Sequence, residues 1–246
     1  EQDLKTMSEA VEVLRQFKGF SYFTEMSDII NRLEDHVASA RMKTTPVIDF
    51  EKNESLKGLD YLDTIYHAIV NEHPIQLKYR SFKARSANSF IFYPYLLKEY
   101  RNRWFVYGVR GNGRILQNLA LDRIQSLEVL PQEHYIKNTF FDPNTFFDDL
   151  VGVTKNTGSV AEKVGFKVAA AEAPYIITKP IHRSQQVMER LADGSVILEI
   201  EVVINHELER VFFGYAEGIQ VLYPKTLVEL MGRKLKKAAE QYTHSK

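Results

Sequence analysis

The chain has no cysteine, a single tryptophan and no long apolar run, and its net charge is zero; each shortage excludes a class of function. Without cysteine there can be no disulfide and no thiolate metal centre, which agrees with a reducing compartment and leads us to expect a cytoplasmic protein. No apolar stretch approaches the roughly 20 residues that a bilayer-spanning helix needs. Nor does the chain begin with a basic segment followed by a short apolar one, the pattern of a secretory signal. Zero net charge, from 32 basic and 32 acidic residues, removes the field by which a non-specific nucleic-acid binder works. The first residue is Glu1 rather than Met, so a fragment of a longer protein is expected.

What is present is a chain of 246 residues, 44% hydrophobic and 26% charged, long enough for one large or two ordinary soluble domains. The neutral total hides a strong asymmetry. Residues 1–72 carry 8 basic and 14 acidic side chains, whereas residues 73–132 carry 10 and 3. Residues 133–160 carry 2 and 4, and residues 161–246 carry 12 and 11. Most surface charge is solvated face, but here the basic excess coincides with the densest aromatic and β-branched run, Tyr100–Gly108.

The N-terminal part reads as helix. Val11, Leu14 and Phe17 recur at three-residue spacing, and Ile29, Ile30, Leu33 and Val37 form a stripe with Ser27 as N-cap. Thr44-Thr45-Pro46 breaks the pattern, and a polar stretch to Gly58 reads as a linker. Leu59, Leu62, Ile65, Tyr66, Ile69 and Val70 restore a helical stripe that ends near His73-Pro74.

The period then becomes two. Ile75, Leu77 and Tyr79 alternate with polar residues, and further strands are expected over 90–97, 103–109, 115–121 and 124–129. Asn112-Gly113 supplies a hairpin turn. Five short strands within 60 residues predict a small barrel, which would remove exposed sheet edges.

After Pro131, four phenylalanines (Phe140, Phe141, Phe146, Phe147) mark a bridging segment that is expected to pack on something. Strands follow around Val164–Val168, across the Asp193-Gly194 hairpin and at Ile219–Leu222. Helices fall around Leu208–Tyr215 and after Pro224. This order resembles a ferredoxin-like α+β sandwich. The predicted organisation is therefore α+β, with a helical linker over 1–58, a β-barrel over 59–132, a bridge over 133–160 and a sandwich over 161–246.

No catalytic constellation stands out. The histidines form no metal-ligand pair on a helix face, and His206-Glu207 reads as capping and solvation. Asp148-Asp149 reads as surface charge. Gly108, Gly111 and Gly113 open a hairpin rather than a helix, so they make no phosphate loop. We therefore expect no enzyme, no metal and no cofactor.

What remains is the basic barrel, where Tyr79, Arg80, Tyr93, Tyr95, Arg101, Arg103, Trp104, Tyr107 and Arg123 bring cations and rings close together in sequence. Single-stranded nucleic acid is gripped by this combination, phosphate on arginine and base on ring. Strand alternation sends Trp104 and Val106 one way and Phe105, Tyr107 and Val109 the other, so one set must fill the core. Trp104 is expected to be buried. Arg103 and Arg80 are the better candidates for ligand contact, while Arg123 after Asp122 is open to a local ion pair.

The segments Tyr93-Pro94-Tyr95-Leu96, Arg103-Trp104-Phe105-Val106 and Leu121-Asp122-Arg123-Ile124 together resemble the WYL domain of bacterial transcriptional regulators. The name-giving triplet Trp-Tyr-Leu reads Trp104-Phe105-Val106 here. Residues 161–246, with Leu222-Tyr223-Pro224, are similar to the C-terminal extension domain that commonly follows it. The helices before residue 45 look like the linker after a winged helix-turn-helix, which is itself absent from this sequence.

The resemblance implies an Sm-like, SH3-type barrel that senses a nucleic-acid-like effector, single-stranded DNA or a nucleotide. It also implies a homodimer whose sensor regions cross-pack, and control of operator DNA binding by an N-terminal winged helix. The ligand face carries over as Tyr79, Arg80, Arg103 and Arg123, with Tyr93, Arg101, Trp104 and Tyr107 as secondary candidates. Gln117 and Ala120 stand where many family members have arginines, a departure that points to a different or smaller ligand. The alternative is a stand-alone protein-interaction module with no nucleotide ligand.

Overall fold

The structure is a computed structural model that describes residue 32 and residues 57–111 and 115–243. The expected helix around residues 11–17, all of the one around 29–37 but residue 32, the Ser27 cap, nearly all of the linker and the Asn112-Gly113 turn lie outside the described residues. The chain divides into two compact units, residues 1–140 and 141–246. Residues 133–140 of the expected bridge thus fall in the first unit and residues 141–160 in the second. Both units combine helices with an antiparallel sheet, giving an α+β protein.

In the first unit a 3-10 turn, Leu59–Tyr61, leads into helix α1, Leu62–Val70. Leu62, Ile65 and Ala68 are buried at the three-residue spacing that puts them on one helix face. Five strands follow: β1 Ile75–Tyr79, β2 Asn88–Tyr100, β3 Arg103–Arg110, β4 Leu116–Ala120 and β5 Ile124–Val129. Residues opposite one another in an antiparallel ladder share a face, and the registers Ile75↔Phe92, Val106↔Leu97 and Val106↔Leu119 assemble one apolar face from four strands. That face packs on α1 in a single core with Ile75, Leu77, Phe92, Val106, Leu121 and Ile124. Each fully buried side chain of this kind contributes about 1.5–3 kcal/mol.

The expectation of a barrel without edges is corrected. Strand order is β4-β3-β2-β1-β5, and β4 and β5 are edges that do not pair with each other. The reason is directional. Successive antiparallel pairings make β4 and β5 run the same way, and only a 3-10 turn, Leu121–Arg123, separates them. Parallel neighbours need a crossover of a dozen or more residues. Strand β5 therefore starts where β4 stops, and the two edges converge at this one corner.

Two irregularities shape the sheet. The β2–β3 register skips Tyr95, so Pro94 faces Gly108 and Leu96 faces Tyr107. The β1–β5 register skips Gln125 in the same way. At Gly108 a Cβ would lie 2.1 Å from the Tyr93 carbonyl oxygen and 2.6 Å from the Phe92 ring, so only glycine fits. Strands β2 and β3 are joined through Arg101 and Asn102, both at positive φ (50° and 61°), the conformation of a tight two-residue hairpin.

The second unit runs β6 Glu162–Val168, α2 Ala173–Thr178, β7 Gln186–Arg190, β8 Val196–Val202, α3 His206–Gly214, β9 Ile219–Tyr223 and α4 Lys225–Thr243. Its sheet has the order β7-β8-β6-β9. Val164, Phe166, Leu198, Ile200 and Val221 meet Ile176, Leu208, Phe212, Leu227 and Met231 in the core. Asp193 caps the expected hairpin by accepting from the Ser195 N–H, with Gly194 at φ 83°.

The phenylalanines of the former bridge do pack: Phe140 stacks on Tyr95, and Phe141 and Phe147 both contact Phe146. Helix α3 differs from expectation at its start. Asn205 is the N-cap, accepting from Leu208 N–H, while Glu207 is only 6% exposed and takes a 2.7 Å hydrogen bond from Thr154. Its place is filled by packing against Gly152, where a Cβ would meet the Glu207 side chain at 2.5 Å.

Candidate nucleic-acid interface

The corner formed by Leu121–Arg123 gathers the four principal residues. Tyr79 ends β1 and pairs in register with Ile124, the first residue of β5. Phe105, two residues after Arg103, pairs with Ala120, the last residue of β4. The turn is thus flanked by the end of β1 on one side and the start of β3 on the other. The Arg80 N–H donates to the Arg123 carbonyl at 3.1 Å, which ties the end of β1 to the turn. Gly58, at φ 84°, packs so close that a Cβ would lie 2.4 Å from the Leu121 carbonyl, so the turn is held from a third side.

Side chains continue this arrangement. The Tyr79 oxygen receives the Ala120 backbone N–H and the Arg123 guanidinium. Burial raises the Tyr79 pKa, partly offset by the charge of Arg123. The Arg123 guanidinium also lies over the Phe82 ring, 4.5 Å from its centroid. Asp122 does not pair with its sequence neighbour; its Oδ2 faces Arg103 Nη2 at 3.4 Å. Asp122 Oδ1 and Arg123 Nε are both buried without a hydrogen-bond partner. Buried polar atoms are rarely left so, and here one unused acceptor and one unused donor sit on consecutive residues of the same turn.

The secondary candidates divide. Arg101 is exposed in the β2–β3 hairpin, with its guanidinium 5.5 Å from the Tyr100 ring centroid. Trp104 is half-buried and packs on the α1 core. Tyr107 is 2% exposed, on the opposite face of β3, so both faces of this strand are covered and alternation does not leave one of them open. Tyr93 makes an edge contact with Tyr135, which also contacts Tyr95 and donates to the Pro94 carbonyl. This aromatic layer is packing: the Tyr95 hydroxyl is buried without a partner and its pKa is pushed up to about 12 by burial.

Phe82, the stacking partner of Arg123, escaped sequence reasoning, as did the role of Asp122. A phenylalanine between Ser81 and Lys83 in a polar loop was the available signal. In the second unit a shallow cleft is lined by Asp148, Asp149, Arg183, Ser184 and Glu201. Asp148 is bound by Arg183 at 2.6 Å and Asp149 by Lys155 at 2.7 Å, so each acid already has a cation. Among the described residues no three His, Asp or Glu side chains are grouped to hold a metal, and no helix is long and apolar enough to cross a membrane.

Comparison with solved structures finds proteasome accessory factor B/C (PafBC) of Arthrobacter aurescens at 15% identity and TM-score 0.30, over 78% of this chain and 28% of that one. It also finds a CRISPR Cas-related protein at 13% identity and TM-score 0.46, over 76% of this chain and 53% of that one. The chain thus spans about a quarter to a half of the length of these proteins. No curated protein matches it. The protein-family comparison is specific: residues 60–129 match the WYL domain and residues 161–239 match the WCX domain. With a WYL domain built around the arginine corner and a WCX domain after it, the chain belongs to the WYL-domain family.

Proposed function

We propose that this chain is the effector-sensing and dimerising region of a bacterial cytoplasmic transcription regulator, and that its arginine corner binds a nucleic-acid-like ligand, single-stranded DNA or a nucleotide. The observation that carries this reading is the convergence of Tyr79, Arg80, Arg103 and Arg123 on one turn of the WYL domain. Arginine forks match phosphate bidentately, and a turn fixed on three sides holds them with little entropy left to lose. The curled five-stranded sheet supports an Sm-like, SH3-type assignment, and the β-α-β-β-α-β order with strands arranged β7-β8-β6-β9 supports a ferredoxin-like one. In this reading the ligand governs operator binding by an N-terminal winged helix domain, the protein works as a homodimer, and no catalysis is involved.

The test is isothermal titration of the protein with short single-stranded DNA and with cyclic oligonucleotides at two salt concentrations. Binding is expected to weaken with salt at a log–log slope of about 0.7 per neutralised phosphate. Arg103→Ala and Arg123→Ala should each cost about 1.5–3 kcal/mol, the worth of a charged hydrogen bond. No binding, or binding undiminished in both variants, overturns the reading. Protein partners held without dependence on salt or on these arginines would favour an interaction module instead.

A further inference from the structure

We propose that Phe82 is the base-stacking residue of this site, so that the ligand is recognised through a nucleobase as well as through its phosphates. The inference rests on the nucleic-acid reading of the corner and adds a specificity-determining residue to it. Phe82 is 73% exposed, in the β1–β2 loop between exposed Arg80, Lys83 and Arg85. A lone exposed hydrophobe needs no explanation, but this one is not placed at random. The Arg123 guanidinium lies over its ring at 4.5 Å, and that same arginine is oriented by the Tyr79 oxygen and leaves its Nε unpartnered.

The ring therefore rests against a cation belonging to the phosphate site, while most of its surface remains open to solvent. A base laid on the free side would extend the arginine–phenylalanine stack, and every base has a π-face to offer. Three exposed cations, Arg80, Lys83 and Arg85, flank it in the same loop and are open to pair with the neighbouring phosphates of such a base. Arginine alone would not discriminate a nucleotide from a simple phosphate; the exposed ring supplies that discrimination.

The experiment compares a short oligothymidylate with an abasic oligonucleotide of equal length and charge, each titrated into the full chain and into Phe82→Ala and Phe82→Trp. The wild type is expected to prefer the oligothymidylate by about tenfold. Phe82→Ala should lose that preference while still binding the abasic strand, and Phe82→Trp should keep it. Because Phe82 is so exposed, both variants should unfold at the wild-type denaturant midpoint. Equal wild-type affinity for the two strands, or a preference that survives in Phe82→Ala, overturns the role of Phe82 and leaves the arginine site standing. If neither strand binds the wild type, the nucleic-acid reading falls and this inference falls with it.

Discussion

Replacing Asp122 by asparagine should strengthen ligand binding. Asp122 Oδ2 lies 3.4 Å from Arg103 Nη2, so in the free protein a carboxylate occupies the cation that a phosphate would take. At that separation Coulomb's law gives about 1 kcal/mol in a water-like dielectric and about 5 kcal/mol at an effective constant near 20. The Arg103 side chain is 44% exposed, which places the pair toward the weaker limit, and measured exposed pairs contribute about 0.2–1 kcal/mol. A ligand must give up that amount to claim Arg103. Asp122→Asn removes the competitor while keeping the shape, and affinity for short single-stranded DNA should rise by up to about fivefold, or 1 kcal/mol. Because Asp122 Oδ1 makes no hydrogen bond, folding stability should fall by no more than the value of the pair.

Fluorescence anisotropy at low and moderate salt, together with urea unfolding, measures both quantities. A double-mutant cycle supplies the control: in an Arg103→Ala background, Asp122→Asn should no longer alter affinity through this competition. If Asp122→Asn binds no better than wild type, or binds worse with an unchanged unfolding midpoint, the carboxylate is not competing with the ligand and the assignment of Arg103 to phosphate loses its physical basis.

The remaining predictions concern stability. Gly108→Ala would force a Cβ to 2.1 Å from the Tyr93 backbone oxygen, which cannot swing aside, and should cost about 3 kcal/mol or more in urea unfolding. Tyr95→Phe removes a buried hydroxyl that has no partner, so its unfolding midpoint should equal or exceed that of wild type, whereas loss of a made hydrogen bond would cost about 1 kcal/mol. His182 is buried with its Nδ1 2.7 Å from Ser184 Oγ, and desolvation lowers its pKa, aided by Arg183 and opposed by the Asp148 carbonyl and by Asp148 and Asp149. The unfolded histidine titrates near 6.5, so as pH drops below about 6.5 the unfolded chain takes up a proton that the native state resists. Stability should then fall, with a matching His182→Gln variant losing that part of the pH dependence.

Much of the fold could be read in advance because period and turn chemistry are local. The period predicts a strand over 124–129 and β5 runs Ile124–Val129, and Asp193-Gly194 joins β7 to β8 as its turn chemistry predicts. Closure of the sheet was not legible, since it depends on which strands pair rather than on where strands lie. Alternation is also interrupted within β2, and for a specific reason. Tyr95 is an extra residue in β2, so Phe92 and Leu97, of opposite parity in sequence, both reach the α1 core. Nothing in Tyr93-Pro94-Tyr95 announces a bulge except the proline, whose missing N–H cannot serve a regular ladder. The hairpin at Arg101-Asn102 was hidden in the same way, because arginine is an unusual occupant of a positive-φ position.

The candidate site was half legible. Cations are conspicuous in a chain of zero net charge, and the three arginines chosen with Tyr79 from sequence and family resemblance meet at one turn. What sequence could not supply was their pairing. Asp122 and Arg123 are neighbours in the chain, which leaves a local ion pair between them open as an alternative to ligand contact. They sit instead on a 3-10 turn, where successive side chains leave the axis about 120° apart. Asp122 is thereby directed to Arg103 at the start of β3, and Arg123 to Tyr79 at the end of β1 and to Phe82 beyond it. One short turn thus parts two adjacent charges and hands each to a different strand. That geometry leaves Arg103 facing a carboxylate, which in the proposed reading a phosphate displaces, and leaves Arg123 lying over an aromatic ring.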